Sequence, residues 1–231
     1  MNTYSHLFFD LDNTLWDFNR NSTEVLEELY HRHNLPELGI ASMKEFISKY
    51  QHRNEMMWEQ YRLGKIDKET LRDKRFALTF WDLGIDPELA PVKLSDDYLE
   101  ISATKNHLFP HAHEALAYLS SRYMLHIITN GFEESQQKKM MRCDLNKYFR
   151  NVIISEHTGF RKPDKRIFQY AVDCVRTTTE QCLMIGDGLV VDILGAKEAG
   201  WDTLYFNPGR IAHNESPTFE VDCLSQLLKI L

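Results

Sequence analysis

Apolar residues change their spacing twice along the chain. Leu7-Phe8-Phe9 is a short continuous apolar run near the start. Similar runs recur through the second half: Leu125 to Thr129, Val152-Ile153-Ile154, Leu183-Met184-Ile185 and Thr203 to Phe206. A run without in–out alternation is how a strand buried on both faces of a parallel sheet reads. Helical spacing separates the later runs. Ala115, Leu116 and Leu119 mark a helix within Ala112 to Arg122, and Phe168, Ala171, Val172 and Val175 mark another. Asp192 to Ala199 is a third, with Gly200 placed to end it. Strand–helix alternation of this kind predicts an α/β, doubly wound parallel-sheet core.

Residues 17–106 follow a different rule: helical stripes and almost no strand signal. The stripes are Val25, Leu26, Leu29 and Tyr30; Phe46, Ile47 and Tyr50; Met57, Trp58 and Tyr61; Leu71, Leu78 and Trp81; and Leu94, Tyr98 and Leu99. Gly64, Gly84 and Pro87 punctuate them. The pattern predicts a core made of residues 1–16 and 107–231, interrupted by an all-helical cap at 17–106. An insertion directly after a strand lands at the carboxyl edge of the sheet, where open α/β sheets bind ligands. The cap is thus expected to act as a lid that excludes water.

Composition narrows the partners. The apolar fraction of 43% and charged fraction of 26% are those of an ordinary folded globule. A net charge of −7 argues against a nucleic-acid or anionic-membrane surface, while leaving room for one small phosphate-sized basic pocket. Cys143, Cys174, Cys182 and Cys223 form no C-x-x-C pair, so they read as free thiols of a reducing compartment. The N-terminal residues lack the basic and apolar regions of a signal peptide, and no apolar stretch reaches membrane-spanning length. A cytoplasmic location is expected.

Four segments carry candidate chemistry. Asp10-Leu11-Asp12-Asn13-Thr14 follows the first run, and its carboxylates, two apart on extended chain, point to one side. Like charges that close call for a metal or a shared proton, and hard oxygen ligands suit Mg²⁺. Thr129-Asn130-Gly131 ends the second run as a turn or an anion-binding nest. Lys162 precedes Pro163, and Gly186-Asp187-x₄-Asp192 closes another run, where Asp192 also reads as a helix N-cap. Each segment alone reads equally as a turn or surface feature. Together, on one edge of a parallel sheet, they supply a nucleophile, a second carboxyl, hydroxyl and amide donors, a cation and a metal site, which is what phosphoryl transfer needs.

In order and spacing these residues resemble the four motifs of the haloacid dehalogenase (HAD) superfamily, and the helical insertion resembles that family's type-1 cap. The resemblance implies Asp10 as nucleophile forming an aspartyl-phosphate, and Asp12 as general acid and then base. It implies Mg²⁺ held by Asp10, the Asp12 backbone carbonyl and Asp187, with Asp192 as ligand or support. Thr129 and the Asn130 amide would grip the phosphoryl group and Lys162 would neutralise it. Dehalogenases lack an acid at the Asp12 position, because a departing halide needs no proton. Two positions depart from the family pattern: Asn13 stands where many members carry Gly, and Pro110-His111 where many carry Pro-Gly.

The stretch from Asp12 to Phe18, with Ile154-Ser155-Glu156 through Lys165 and Ile167-Phe168, looks most like the branch of pyrimidine 5′-nucleotidases. A nucleoside 5′-monophosphate is therefore the expected substrate. The alternatives are a sugar or sugar-acid phosphate phosphatase, a phosphomutase, a phospho-receiver and a catalytically silent phosphate-binding protein. Trp16 and Phe18 are the aromatics expected to face substrate, and Arg53 and Arg62 could meet a second anionic group. The other cap aromatics are expected in the core. His111 and His113, lacking a third ligand, read as surface residues. Lys138, Lys139 and Arg142 read as a solvated helix face.

Overall fold

A computed structural model describes residues 4–231 of the chain. The apolar runs form strands β1 (His6–Phe9), β2 (Met124–Thr129), β3 (Phe149–Ile154), β4 (Cys182–Gly186) and β5 (Asp202–Phe206), joined by a short β6 (Phe219–Val221). They make one sheet in the order β3-β2-β1-β4-β5-β6, with every pair parallel. No apolar spacing marks β6 in the sequence. Phe-Glu-Val, at the edge, is too short for any period to show.

Four helices follow β1: α1 (Phe18–Arg32), α2 (Met43–Arg62), α3 (Lys68–Asp82) and α4 (Leu94–Ser102). The later helices are α5 (Ala112–Ser120), α6 (Glu133–Arg142), α7 (Ser155–Thr158), α8 (Lys165–Val175), α9 (Gly195–Glu198) and α10 (Leu227–Ile230). The chain divides into two compact units, Met1–Phe18 with Asn106–Leu231, and Asn19–Lys105. Among the described residues no helix is long and apolar enough to cross a membrane. The four cysteines are free.

Alternation along the strands splits the first unit's core in two. Leu7, Phe9, Ile127, Leu183 and Ile185 pack on one face with Ala115, Leu116 and Leu119 of α5. Phe8, Ile128 and Met184 pack on the other with Phe168 and Ala171 of α8 and Ala196 of α9. Burying a side chain of this size contributes about 1.5–3 kcal/mol, so both faces of the sheet are strongly held. Register follows: Phe9 lies opposite Ile127 on one side and Ile185 on the other. The residues just past Phe9, Ile128 and Ile185 therefore emerge together at one edge.

The second unit has its own core, built from Val25, Leu26 and Leu29 of α1, Phe46 and Tyr50 of α2, Phe76 and Phe80 of α3, and Leu94 and Tyr98 of α4. The two stripes at 46–50 and 57–61 belong to the single helix α2. Ser42 and Asp67 cap α2 and α3 by accepting from the N–H groups of Glu45 and Thr70. The expected stripe on α3 is corrected in part: Trp81 is 67% exposed, and the buried face is Leu71, Arg75, Phe76, Thr79 and Phe80. The Arg75 guanidinium lies 4.5 Å from the Tyr98 ring centroid and near Tyr50 and Phe76, which is how aromatic faces accommodate a buried cation.

Candidate active site

Asp10 continues β1 by donating its N–H to Ile185 O at 2.9 Å. The chain then turns tightly: Asn13 N–H donates to Trp16 O, and Trp16 N–H donates to Leu11 O. Asn13 sits at φ 59°, in the left-handed region, and so does His111 at φ 67°. These are the two positions where the family pattern has Gly. Asn and His are among the side chains that tolerate this conformation best, so the glycines' backbone shape is retained without them.

Lys162 is the centre of the site. It is 1% exposed, and its ammonium donates to Asp10 Oδ1 at 2.6 Å, Asp192 Oδ1 at 2.6 Å and Ile128 O at 2.8 Å. Three donors meet three acceptors. Burial works against the charge, but Asp10 and Asp192 outweigh it and hold the ammonium above its ordinary range. The backbone of Lys162 is clamped as well: Asn130 Nδ2 donates to Lys162 O, and Lys162 N–H donates to Asn130 Oδ1, both at 2.9 Å. The side chain of Asn130 thus braces the Lys162 backbone at two points.

Ligand oxygens of Asp10, Asp187 and Asp192 lie within 4.8 Å of one another. Burial, opposed by Lys162 and helped by Asp192 and Asp12, raises Asp10 to about 7. Burial first, then Asp10 and Asp192, raise Asp187 well above the carboxylate range. Three crowded acids around one lysine leave negative charge without a partner, and an all-oxygen donor set fits a hard divalent cation such as Mg²⁺. Thr14 orients Asp187 from both sides: its Oγ1 donates to Asp187 Oδ1 at 3.1 Å and accepts from Asp187 N–H at 3.0 Å. Asp192 is held by Gly188 N–H on Oδ2. It lies inside a wide turn over Leu189–Leu194, in which Ile193 N–H reaches back to Gly188 O, rather than capping a helix. A Cβ on Gly186 would lie 2.4 Å from Asp192 Oδ2, and one on Gly195 would lie 2.8 Å from Pro163 Cα. Both glycines permit approaches that the site depends on.

Thr129 is 1% exposed, and its Oγ1 accepts from Gly131 N–H at 3.0 Å and Gln136 Nε2 at 2.8 Å. With both lone pairs engaged, its own hydrogen is left for an acceptor. Asp12 has partners of its own: Oδ2 accepts from Gln136 Nε2 at 2.8 Å and Oδ1 from Lys139 Nζ at 2.5 Å. Lys139 is thus buried, 8% exposed, which corrects its reading as part of a solvated face. Trp16 is 1% exposed within the core cluster, and Lys139 lies 4.3 Å over its ring. Trp16 forms the floor beneath an ion pair and presents no open face for stacking, contrary to expectation. Phe18 packs edge-on to it. Arg53 is paired in two bonds with Asp82, so it is not free for a ligand. His111 and His113 are exposed, contacting Glu114 and Tyr148.

A sheet of this order, with aspartates at two adjoining strand ends and a lysine drawn between them, defines a known class. The family model of haloacid dehalogenase-like hydrolases matches residues 4–200. The chain belongs to this family. It is 32% identical to the pyrimidine 5′-nucleotidase PynA of Streptococcus pneumoniae, over 99% of this chain and 95% of that one. It is 31% identical to the pyrimidine 5′-nucleotidase YjjG of Escherichia coli, over 97% and 96%. The magnesium-bound crystal structure of the HAD-hydrolase YfnB of Bacillus subtilis superposes with a TM-score of 0.88 at 29% identity, covering 98% of each chain.

Proposed function

We propose that the protein is a Mg²⁺-dependent phosphomonoesterase that works through an aspartyl-phosphate, with a nucleoside 5′-monophosphate as substrate. The observation that carries this reading is Lys162, tied to both Asp10 and Asp192 beside a third carboxylate, Asp187, so that acidic oxygens outnumber the single ammonium. Asp10, the Asp12 backbone carbonyl, Asp187 and Asp192 would hold Mg²⁺, which supplies charge neutralisation at the phosphoryl oxygens.

Asp10 attacks phosphorus, and the bond to the ester oxygen breaks. Asp12 gives its proton to the departing alkoxide, releasing the alcohol. The Thr129 hydroxyl, the Asn130 N–H and Lys162 hold the phosphoryl oxygens during transfer. Water then attacks the phosphorus of the aspartyl-phosphate while Asp12 takes its proton. The bond to Asp10 breaks, inorganic phosphate leaves, and the carboxylate is restored. A halide leaving group would need no such acid, so Asp12 supports ester hydrolysis over dehalogenation. The nucleotide assignment rests on the two nucleotidases among the relatives. A cytoplasmic location accords with four free thiols.

The test is phosphate release from nucleoside monophosphates and sugar phosphates at equal concentration, with Mg²⁺ or with EDTA. Release that depends on Mg²⁺ and favours pyrimidine 5′-monophosphates is expected, and Asp10→Asn should lower turnover by more than about 10³-fold. A preference for sugar phosphates would replace the substrate while keeping the mechanism. Full turnover in EDTA or in the Asp10→Asn variant would overturn it.

A further inference from the structure

The acid/base carboxylate does not hang free at the end of its loop. Gln136 and Lys139 lie three residues apart on α6 and therefore on one face of it. Gln136 is fully buried and Lys139 nearly so, although α6 is otherwise mostly polar. Each takes a separate oxygen of Asp12: the Gln136 amide takes Oδ2, and the Lys139 ammonium takes Oδ1. Neither donor is loosely placed. The Lys139 ammonium is seated over the ring of Trp16 and lies 5.9 Å from that of Phe18. The Gln136 amide occupies the space a Cβ would fill at Gly131, where that atom would lie 2.1 Å from Nε2. The same Nε2 also donates to Thr129 Oγ1, so one amide ties Asp12 to the hydroxyl at the end of β2. Burying a lysine is costly unless its charge is paired, and here the pairing is with Asp12, a carboxylate that Lys162 does not contact.

We propose that Gln136 and Lys139 are positioning residues that fix the Asp12 carboxyl group for proton transfer to the leaving alcohol. This rests on the phosphomonoesterase reading. An unrestrained aspartate rotates about two side-chain bonds. Donors on both oxygens reduce that freedom to one orientation, so the carboxyl group is held in place before the leaving alcohol departs. General-acid help matters most when the leaving oxygen is strongly basic, as in an alkyl alcohol. It matters little when the leaving group is a stabilised phenolate. Loss of the two donors is therefore a leaving-group effect, distinct from general damage to the site.

The experiment compares kcat/KM for an alkyl monophosphate, such as a nucleoside 5′-monophosphate, with kcat/KM for p-nitrophenyl phosphate. This constant extends only to departure of the alcohol, so later hydrolysis of the aspartyl-phosphate does not enter it. In Lys139→Met and, separately, Gln136→Met, the alkyl-to-aryl ratio should fall by about tenfold or more. The shift should run in the direction given by Asp12→Asn and be smaller than it. Either variant suffices, so misfolding of one, seen as loss of its thermal transition, leaves the other to decide. Equal proportional losses on both esters, or an unchanged or raised ratio, would overturn the positioning role. A wild-type enzyme that releases phosphate from neither ester would instead overturn the phosphomonoesterase reading, and this inference with it.

Discussion

Asn13 shows how one residue holds the nucleophile loop in shape. Its left-handed backbone is stabilised by Asn13 N–H donating to Trp16 O, and a β-branched side chain there meets its own carbonyl. Asn13→Gly should keep turnover within about twofold, whereas Asn13→Val should cost about 1–2 kcal/mol of stability in thermal unfolding. Equal stability of the two variants would show that the conformation is not a constraint. The residues legible in the sequence were those that follow a strand, because an apolar run ending in an acid, a hydroxyl or a glycine marks its own position. Asp10, Thr129 and Asp187 all read this way. Lys139 did not. Its charged neighbours imply solvent, and its partner Asp12 is distant in sequence. A trace was present, since Phe132, Gln136, Met140 and Cys143 recur at helical spacing and all are buried. A polar residue within such a stripe is the signal of a buried contact.

At the scale of elements, the strands were legible because unalternating apolar runs fit only a sheet covered on both faces. The helical stripes were legible where one apolar face dominates, as on α1. On α3 two faces competed, and Arg75 decided between them by stacking on aromatic rings that no spacing rule reveals. Among the described residues its Nε and Nη2 are buried without a hydrogen-bond partner. Aromatic faces return about 0.5–2 kcal/mol for a cation, less than burial of an unpaired charge withdraws. Replacing such a charge by an apolar side chain of similar length is often neutral or stabilising. Arg75→Met should therefore leave the unfolding temperature unchanged or raise it. A fall of more than about 4 °C, equivalent to at least 1 kcal/mol in a chain of this size, would show that the charge is needed. The wide turn carrying Asp192 has no sequence signature, since its spacing is compatible with an ordinary helix start.

For the whole molecule, pH acts on stability through a pair buried in the sheet. His6 Nδ1 lies 3.0 Å from His126 Nε2, and Asn151 Nδ2 lies 3.0 Å from His126 Nδ1. Burial, with His6 adding to it, pushes His126 down to about 4, and burial lowers His6 as well. Unfolded imidazoles take up protons near 6.5 while the folded pair resists. Stability from this source is thus complete above pH 6.5 and lost as pH falls towards 4. His126→Asn should lose less stability between pH 7.5 and pH 4.5 than the parent chain, by at least about 2–4 °C in unfolding temperature. Parallel curves would show that the pair does not titrate on unfolding. The strand order has a further consequence, for the order of synthesis. β1 leaves the ribosome first, yet both of its sheet partners come later, β2 starting about 115 residues on. At about 5–20 residues per second the gap is roughly 6–23 s. Throughout it the nascent segment Leu7-Phe8-Phe9 waits without either neighbour, so yield in the cell should depend on elongation speed and on chaperones that hold an early apolar strand.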